Sequence, residues 1–285
     1  MRKSFGKIYV EITNRCNLAC PFCPPTRRKA DLMSRERFDF ILDRLGGFGK
    51  QLYFHVKGEP LLHPELEAFL SDAKERGFSV SLTTNGTLLE ERAETLLAAG
   101  NIKKLSVSLH SHSGAGDAQA YWRGVAAFLD LHRERPAFDV SLRLWNREGG
   151  RLPAGDRSLM SLMEARYPLL GDWEEVRGRS DSVKLEDRVY LNLAEEFSWP
   201  GLDKPAINEG GLCYALRNQV AILVDGTVVP CCLDGEGVIS LGNLLEAPLA
   251  DILDSPRARA LYEGFSRRAL AEPLCRSCGF LKKRL

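Results

Sequence analysis

The sequence predicts an α/β fold of repeated strand-helix units followed by a small cysteine-bearing appendage, and three observations carry that prediction. Short β-branched or apolar runs alternate with longer stretches of helical period from residue 7 to about 195, the pattern of βα units around a parallel sheet. Six such strands fall at about 7–13, 51–57, 79–85, 104–110, 139–145 and 188–194. Beyond Pro200 the character changes, because five of the eight cysteines lie there around a hairpin-like segment, QVAILVDGTVVPCC. Its Asp225-Gly226 pair is a strong turn signal. The expected domains are therefore residues 1–200 and residues 201–285.

Each helix carries its own start and stop. After the first strand Ser34 stands as an N-cap, and Phe38, Ile41, Leu42 and Leu45 fall at i, i+3, i+4 and i+7 until Gly46-Gly47 ends the helix. Pro64 suits a first helical position; Leu66, Phe69, Leu70 and Ala73 repeat the spacing until Gly77, and a third helix, rich in Ala and Leu, stops at Gly100. Six units are too few to close an eight-stranded barrel.

The strands share one parity. Ile8, Val10 and Ile12 alternate with Tyr9, Glu11 and Thr13, which puts the apolar set under the helices. The other face reads Tyr53, His55, Lys57; Ser81, Thr83, Asn85; Ser106, Ser108, His110; Ser141, Arg143; Tyr190, Asn192. A closed barrel fills its interior with branched apolar side chains. So polar a lining implies either a cavity for a polar substrate or a hydrogen-bonded network serving the fold.

Composition narrows the classes. With 44% hydrophobic and 27% charged residues the chain is an ordinary globular protein, not a disordered one. A net charge of +1 offers no bulk field for nucleic acid or a membrane, and no apolar stretch is long enough for a membrane span. The start, MRKSFGKIYVEIT, runs directly into a strand-like segment, so no export signal and a cytoplasmic location are expected. Disulfides are accordingly not expected among the eight cysteines.

Cys16, Cys20 and Cys23, in CNLACPFC just after the first strand, offer three thiolates at C-x3-C-x2-C spacing. By spacing alone such a set suits zinc or an iron-sulfur cluster equally. The triplet, with Phe22 between its last two cysteines and Lys57-Gly58-Glu59-Pro60 after the second strand, resembles the radical S-adenosylmethionine (SAM) superfamily. The resemblance implies a partial (β/α)6 radical SAM barrel with a small C-terminal auxiliary-cluster domain. It implies a [4Fe-4S] cluster on the three cysteines, whose open iron binds the methionine part of SAM.

Further roles follow from the same resemblance. Phe22 lies against adenine, or simply shields the cluster. The Lys57, Gly58 and Glu59 turn stands where backbone carbonyls receive the methionyl ammonium. Lys57 replaces the usual first glycine and either meets a carboxylate or is solvated. Asn85 contacts SAM or caps its own turn, since Asn85-Gly86 is a turn dipeptide. Ser108, His110 and Arg143 fall where the superfamily contacts ribose and carboxylate, and a guanidinium suits a two-point fork. His55 and His110 are the candidate proton acceptors. Arg27, Arg28 and Lys29 either attract an anionic substrate or form a solvated loop.

The second set, Cys213, Cys231, Cys275 and Cys278, has the pattern C-x12-G-x4-C with C-x2-C downstream. It resembles a twitch domain, the shortened relative of the SPASM domain, and implies a second [4Fe-4S] cluster saturated by four thiolates. Spacing alone leaves a structural zinc site open, because Cys275-x2-Cys278 is half a zinc ribbon. Cys232 is then spare, unless it replaces Cys231 as ligand. It is either a small buried residue or a hydrogen-atom donor.

The expected activity is that of a radical SAM oxidoreductase that forms a 5′-deoxyadenosyl radical, abstracts hydrogen from a polar substrate and passes the radical's electron to the auxiliary cluster. The cysteine spacing resembles that of the twitch-domain aminocyclitol dehydrogenases. The alternatives are a peptide-modifying maturase or epimerase, with Cys232 returning hydrogen, and a non-enzymatic electron carrier. Partners are a polar small molecule or peptide and a one-electron donor such as flavodoxin or ferredoxin.

Overall fold

The structure, a computed structural model, describes residues 4–168 and 181–282. In chain order the elements are β1 (Lys7–Val10), α1 (Arg35–Leu45), β2 (Gln51–Phe54), α2 (Leu66–Glu75), β3 (Ser79–Thr84), α3 (Leu89–Ala98) and β4 (Ile102–Ser108). There follow α4 (His112–Ala115), α5 (Ala118–Glu134), β5 (Asp139–Arg147), α6 (Arg157–Arg166), β6 (Ser182–Glu186) and β7 (Val189–Glu195). Last come β8 (Gln219–Ile222), β9 (Thr227–Val229), β10 (Gly242–Asn243) and short helices, of which Pro256–Ser266 is the longest among the described residues. The chain forms two compact units: Met1–Cys16, Cys23–Val80 and Phe197–Leu285 make the first, Asn17–Phe22 and Ser81–Glu196 the second.

In the first unit the strand order is β10-β9-β8-β1-β2. β1 runs parallel to both neighbours, with Tyr9 level with Tyr53 on one side and Ala221 on the other. α1 forms for the expected reasons, whereas α2 begins at Leu66 after Glu65, so Pro64 stands in the turn ahead of it rather than at its first position. The Ser34 side chain accepts from the Arg37 N–H at 3.2 Å, and Phe38, Ile41, Leu42 and Leu45 are buried on α1. Phe38 stacks on Phe69 of α2 at 4.3 Å and meets Phe54 of β2 edge-on at 5.6 Å. A fully buried ring of this kind contributes about 2 kcal/mol. The QVAILVDGTVV segment is the antiparallel pair β8 and β9, turning at Gly226 with φ +89°.

In the second unit the order is β3-β4-β5-β7-β6. β4, β5 and β7 are parallel, and their register aligns Ser106 with Ser141 and Tyr190, then Ser108 with Arg143 and Asn192. The polar parity read from the sequence is therefore continuous across three strands. α5 buries Tyr121, Trp122, Val125, Phe128, Leu129 and His132.

Three features differ from expectation. β6 is an added edge strand, antiparallel to β7, and in its sequence SVKLE only Leu185 is buried, so no apolar run announced it. β1 and β2 end at Val10 and Phe54, three residues early, because the chain beyond is taken up by other bonds. Thr13 bridges to Leu32 rather than extending a ladder, and the His55 N–H turns back to the Tyr53 carbonyl at 2.9 Å. Finally, β8 pairs with β1 itself, where only a hairpin within the appendage was expected. Among the described residues no helix is long and apolar enough to cross a membrane.

Candidate iron-sulfur and cofactor site

The loop after β1 is closed at its base. The Met33 N–H donates to the Ile12 carbonyl at 2.8 Å, Thr13 Oγ1 to the Asp31 carbonyl at 2.9 Å, and Asn14 Nδ2 to the Lys29 carbonyl at 2.9 Å. The Asp31 N–H returns a bond to Asn14 Oδ1 at 2.7 Å. These bonds pin residues 12–14 to residues 29–33, and the segment between carries the three cysteines. Cys16 is exposed, Cys20 and Cys23 are half-buried, and none of the eight cysteines is in a disulfide.

Glu11, fully buried at the end of β1, organises the loop's far side. Its carboxylate accepts from Arg28 Nη1 and Nη2 at 2.7 and 2.6 Å, from the Lys57 N–H at 3.1 Å and from the Val224 N–H at 3.0 Å. Burial pushes the Glu11 carboxyl up, and these donors oppose it. Burial also works against the Arg28 charge, but Glu11 outweighs it and holds the guanidinium up. Arg28 Nε reaches the Gly235 carbonyl at 2.8 Å, and the Arg27 N–H reaches Glu236 Oε2 at 2.9 Å. Arg28 is therefore neither solvated nor presented to an anion, as its charge run suggested; it fastens the loop that follows Cys23 to residues 235–236.

The Lys57-Gly58-Glu59 turn lies against the same loop. Gly58 has φ +76°, and a Cβ there would stand 2.4 Å from the Thr13 carbonyl oxygen and 2.8 Å from that of Arg15. Only glycine permits that approach. The Glu59 N–H donates to the Arg15 carbonyl at 2.8 Å, while its side chain accepts from Leu61 N–H at 3.0 Å. Lys57 turns back onto the cysteine loop: Nζ donates to the Pro24 carbonyl at 2.6 Å, lies 3.9 Å from Cys23 Sγ and stands 4.7 Å over the Trp199 ring. Burial pushes its ammonium down, opposed by Cys23, Glu236 and Glu11.

The second unit gathers the other sequence-predicted groups. Phe22 packs on the His110 ring at 4.5 Å. His110 Nδ1 is bonded to the Arg143 carbonyl at 3.1 Å, and burial pushes its pKa down to about 4. The Arg143 guanidinium lies 4.3 Å over the Trp145 ring, two residues on and of the same strand parity. Ser108 lies level with Arg143 in the register. Asn85 is engaged on both sides: its Nδ2 donates to Oδ1 of Asn17, between Cys16 and Cys20, at 2.8 Å, and its Oδ1 accepts from the Thr87 N–H of its own turn at 3.0 Å. Asn192 Nδ2 donates to Ser141 Oγ at 2.8 Å, so part of the polar face is an internal network.

In the C-terminal part of the first unit four thiols share one neighbourhood. Cys231 is pushed up by burial and by nearby Cys232, Cys213 and Cys275; Cys275 is pushed up by burial, Cys213 and Cys278. Buried thiols crowded in this way, unbridged by disulfides, suit a soft metal group that takes them as thiolates. Asn208 Nδ2 donates to the carbonyls of Cys275, Arg276 and Cys278 at 3.5, 3.2 and 2.9 Å, fixing the C-x2-C turn. Nothing in its sequence context announced it. Cys232, itself a neighbour of Cys231 and Cys278, packs against Tyr9, Val56, Ala221, Leu223 and Val229 beside Tyr53. Burial pushes its thiol up to about 11, opposed by a hydrogen bond with Tyr9. The His55 ring meets Tyr9 edge-on at 5.2 Å and Tyr53 at 6.1 Å. Among the described residues, no three His, Cys, Asp or Glu side chains converge on a single-ion position.

Comparison with known proteins agrees with this donor chemistry. The model of the radical SAM superfamily matches residues 10–144, and that of the SPASM iron-sulfur cluster-binding domain matches residues 213–279. An S-adenosyl-L-methionine-dependent 2-deoxy-scyllo-inosamine dehydrogenase from Niallia circulans is 31% identical over 290 residues, covering 98% of this chain and 94% of its own length. A tungsten-containing aldehyde ferredoxin oxidoreductase cofactor-modifying protein from Pyrococcus furiosus is 27% identical over 312 residues, covering 95% of this chain and 86% of its own. The crystal structure of BtrN in complex with AdoMet and 2-DOIA shares the fold, with TM-score 0.61 and 22% identity over 98% of this chain and 94% of that one.

Proposed function

Because the chain belongs to the radical SAM superfamily, as a SAM- and iron-sulfur-dependent oxidoreductase with a C-terminal SPASM domain, we propose that it dehydrogenates an alcohol carbon of a polar small molecule. Bound SAM and its cluster supply a hydrogen-abstracting radical, and the auxiliary cluster supplies a one-electron acceptor. In this reading residues 1–200 carry the SAM chemistry and residues 201–285 the auxiliary cluster. Cys16, Cys20 and Cys23 hold the first cluster; Cys213, Cys231, Cys275 and Cys278 hold the second.

Phe22, braced on His110, forms the aromatic wall for adenine, and the Gly58 turn offers backbone carbonyls to the methionyl ammonium. Arg143, held over Trp145, forks a carboxylate. Oxidation of the alcohol carbon removes one hydrogen atom, one hydroxyl proton and one electron, leaving a carbonyl. The proton goes to His55, because His110, with its pKa pushed down to about 4, is too weak a base at neutral pH. The second cluster, held by Cys213, Cys231, Cys275 and Cys278, would accept the electron and pass it to an external carrier, and an external one-electron donor such as flavodoxin or ferredoxin would restore the first. Eight cysteines without a disulfide suit a reducing cytoplasm.

The observation that carries this reading is the fastening of the loop after Cys23 to residues 235–236, which follow Cys231, through Arg28 and Arg27. The relative from Niallia circulans, similar along nearly its whole length, supports the reaction class. A second reading, hydrogen return to a peptide or sugar carbon by Cys232, is favoured by one observation: that thiol, a fifth beside the four, packs against the Tyr9 phenol.

Anaerobic reconstitution should give about eight irons per chain, four to each cluster, and SAM cleavage with dithionite. Zinc without SAM cleavage would sink both readings. Cys232→Ala separates them: dehydrogenation leaves product formation intact, whereas hydrogen return loses product while SAM is still cleaved.

A further inference from the structure

Lys57 is 7% exposed, and a lysine this buried needs partners for its charge. Its position is over-determined. The backbone N–H is bonded to Glu11, and a Cβ on Gly235 would stand 2.9 Å from both Cγ and Cε of the lysine stem. The ammonium is thereby aimed at the cysteine loop, 2.6 Å from the Pro24 carbonyl oxygen and 3.9 Å from Cys23 Sγ, with the Trp199 ring 4.7 Å behind it. The neighbouring cation, Arg28, is matched by a two-point bond to Glu11 and points its Nε at Gly235. Lys57 thus presents a positive charge and an N–H donor to the Cys23 sulfur.

Resting on the assignment of Cys16, Cys20 and Cys23 to the first cluster, we propose that Lys57 sets that cluster's reduction potential through its contact with Cys23. Reduction adds one negative charge that is shared over the iron, the sulfide and the ligating sulfurs. A cation and an N–H···S bond stabilise the reduced form more than the oxidised one, and hydrogen bonds to the sulfurs are among the levers that set such potentials. The lysine therefore raises the potential. The external donor loads the cluster more easily, and the drive for passing the electron onward is smaller by the same amount. Lys57 acts here through a ligand rather than on the substrate, so it is a positioning residue.

The test is an EPR-monitored redox titration of the full-length reconstituted protein without SAM, with dithionite as reductant. The first cluster's signal is identified as the one lost in a Cys16→Ala, Cys20→Ala, Cys23→Ala triple variant. Lys57→Met should make reduction about tenfold less favourable, a fall of about 59 mV for a one-electron couple. Lys57→Arg should restore most of it, and the second cluster's midpoint should move much less. If Lys57→Met does not assemble, Lys57→Gln carries the same comparison. An unchanged midpoint, or equal shifts in both clusters, overturns the proposal. A triple variant that keeps both signals instead overturns the cluster assignment on which it rests.

Discussion

His110 shows at the scale of one residue how burial selects a role. Its ring lies between Phe22 and the Arg143 carbonyl, and its pKa falls from 6.5 to about 4. The unfolded chain binds a proton below its own pKa while the folded one refuses it, so stability is full above pH 6.5 and is lost as pH falls toward 4. In full the loss is roughly 3 kcal/mol, from 1.36 kcal/mol per unit over the 2.5 units separating those values. We expect urea unfolding of wild type at pH 7 and pH 5 to show this acid sensitivity, and His110→Gln to lack most of it. The place of Arg143, level with Ser108 in the register, was legible from strand parity, whereas His110 lies in the 3-10 turn after β4, beyond the reach of that parity. Trp145 was legible too, in hindsight, because it shares the parity of Arg143. Arg28 was not, since a basic run looks the same whether solvated or paired; its partner Glu11 is 17 positions away and marked only as a polar residue in an apolar strand. Asn208 and Trp199 lie in segments without period, where a sequence offers no face to assign.

At the scale of elements, the helices with regular apolar spacing were legible, because α1 and α2 bury the very residues that recur at i, i+3, i+4 and i+7. Strand ends were not, since the competition for β1 and β2 comes from loops that fold back on them. The Gly58 turn is the sharpest such case. Gly58→Ala would force a Cβ against two carbonyl oxygens at a φ of +76°, and we expect it to cost more than about 1 kcal/mol. Because those carbonyls belong to Thr13 and Arg15, the same variant should retain less iron on the first cluster than on the second, measured by EPR spin counting. Retention equal to wild type would show that the turn does not brace the cysteine loop. The edge strand β6 is not legible for a simpler reason: a strand with two charged residues and a single buried one has a weak apolar signature, although its pairing with β7 is local.

At the scale of the whole molecule, the alternation of βα units was legible in the sequence, but the pairing of β8 with β1 was not, and residues 197–285 form one compact unit with β1 and β2. Seven thiols are cluster ligands in the proposed assignment, and binding energy at such sites is folding energy. Removal of iron under anaerobic conditions should therefore raise amide hydrogen exchange in residues 201–282 and in residues 12–33, while α5 and the β4, β5 and β7 ladder stay protected. Uniform deprotection would contradict the separation into units; no change would mean that the thiol sets are rigid without metal.

Glu11 takes one of its four hydrogen bonds from Val224, 213 positions downstream. During synthesis the N-terminal cysteine loop is therefore made early and anchored late. Until β8 has emerged and docked along β1, the carboxylate has only its Arg28 and Lys57 donors, and Arg28 has no Gly235 to reach. Iron delivered to Cys16, Cys20 and Cys23 before that point meets an open loop, so orderly cluster loading belongs to the finished chain, and a truncation short of residue 236 should leave the first site as unready as the second.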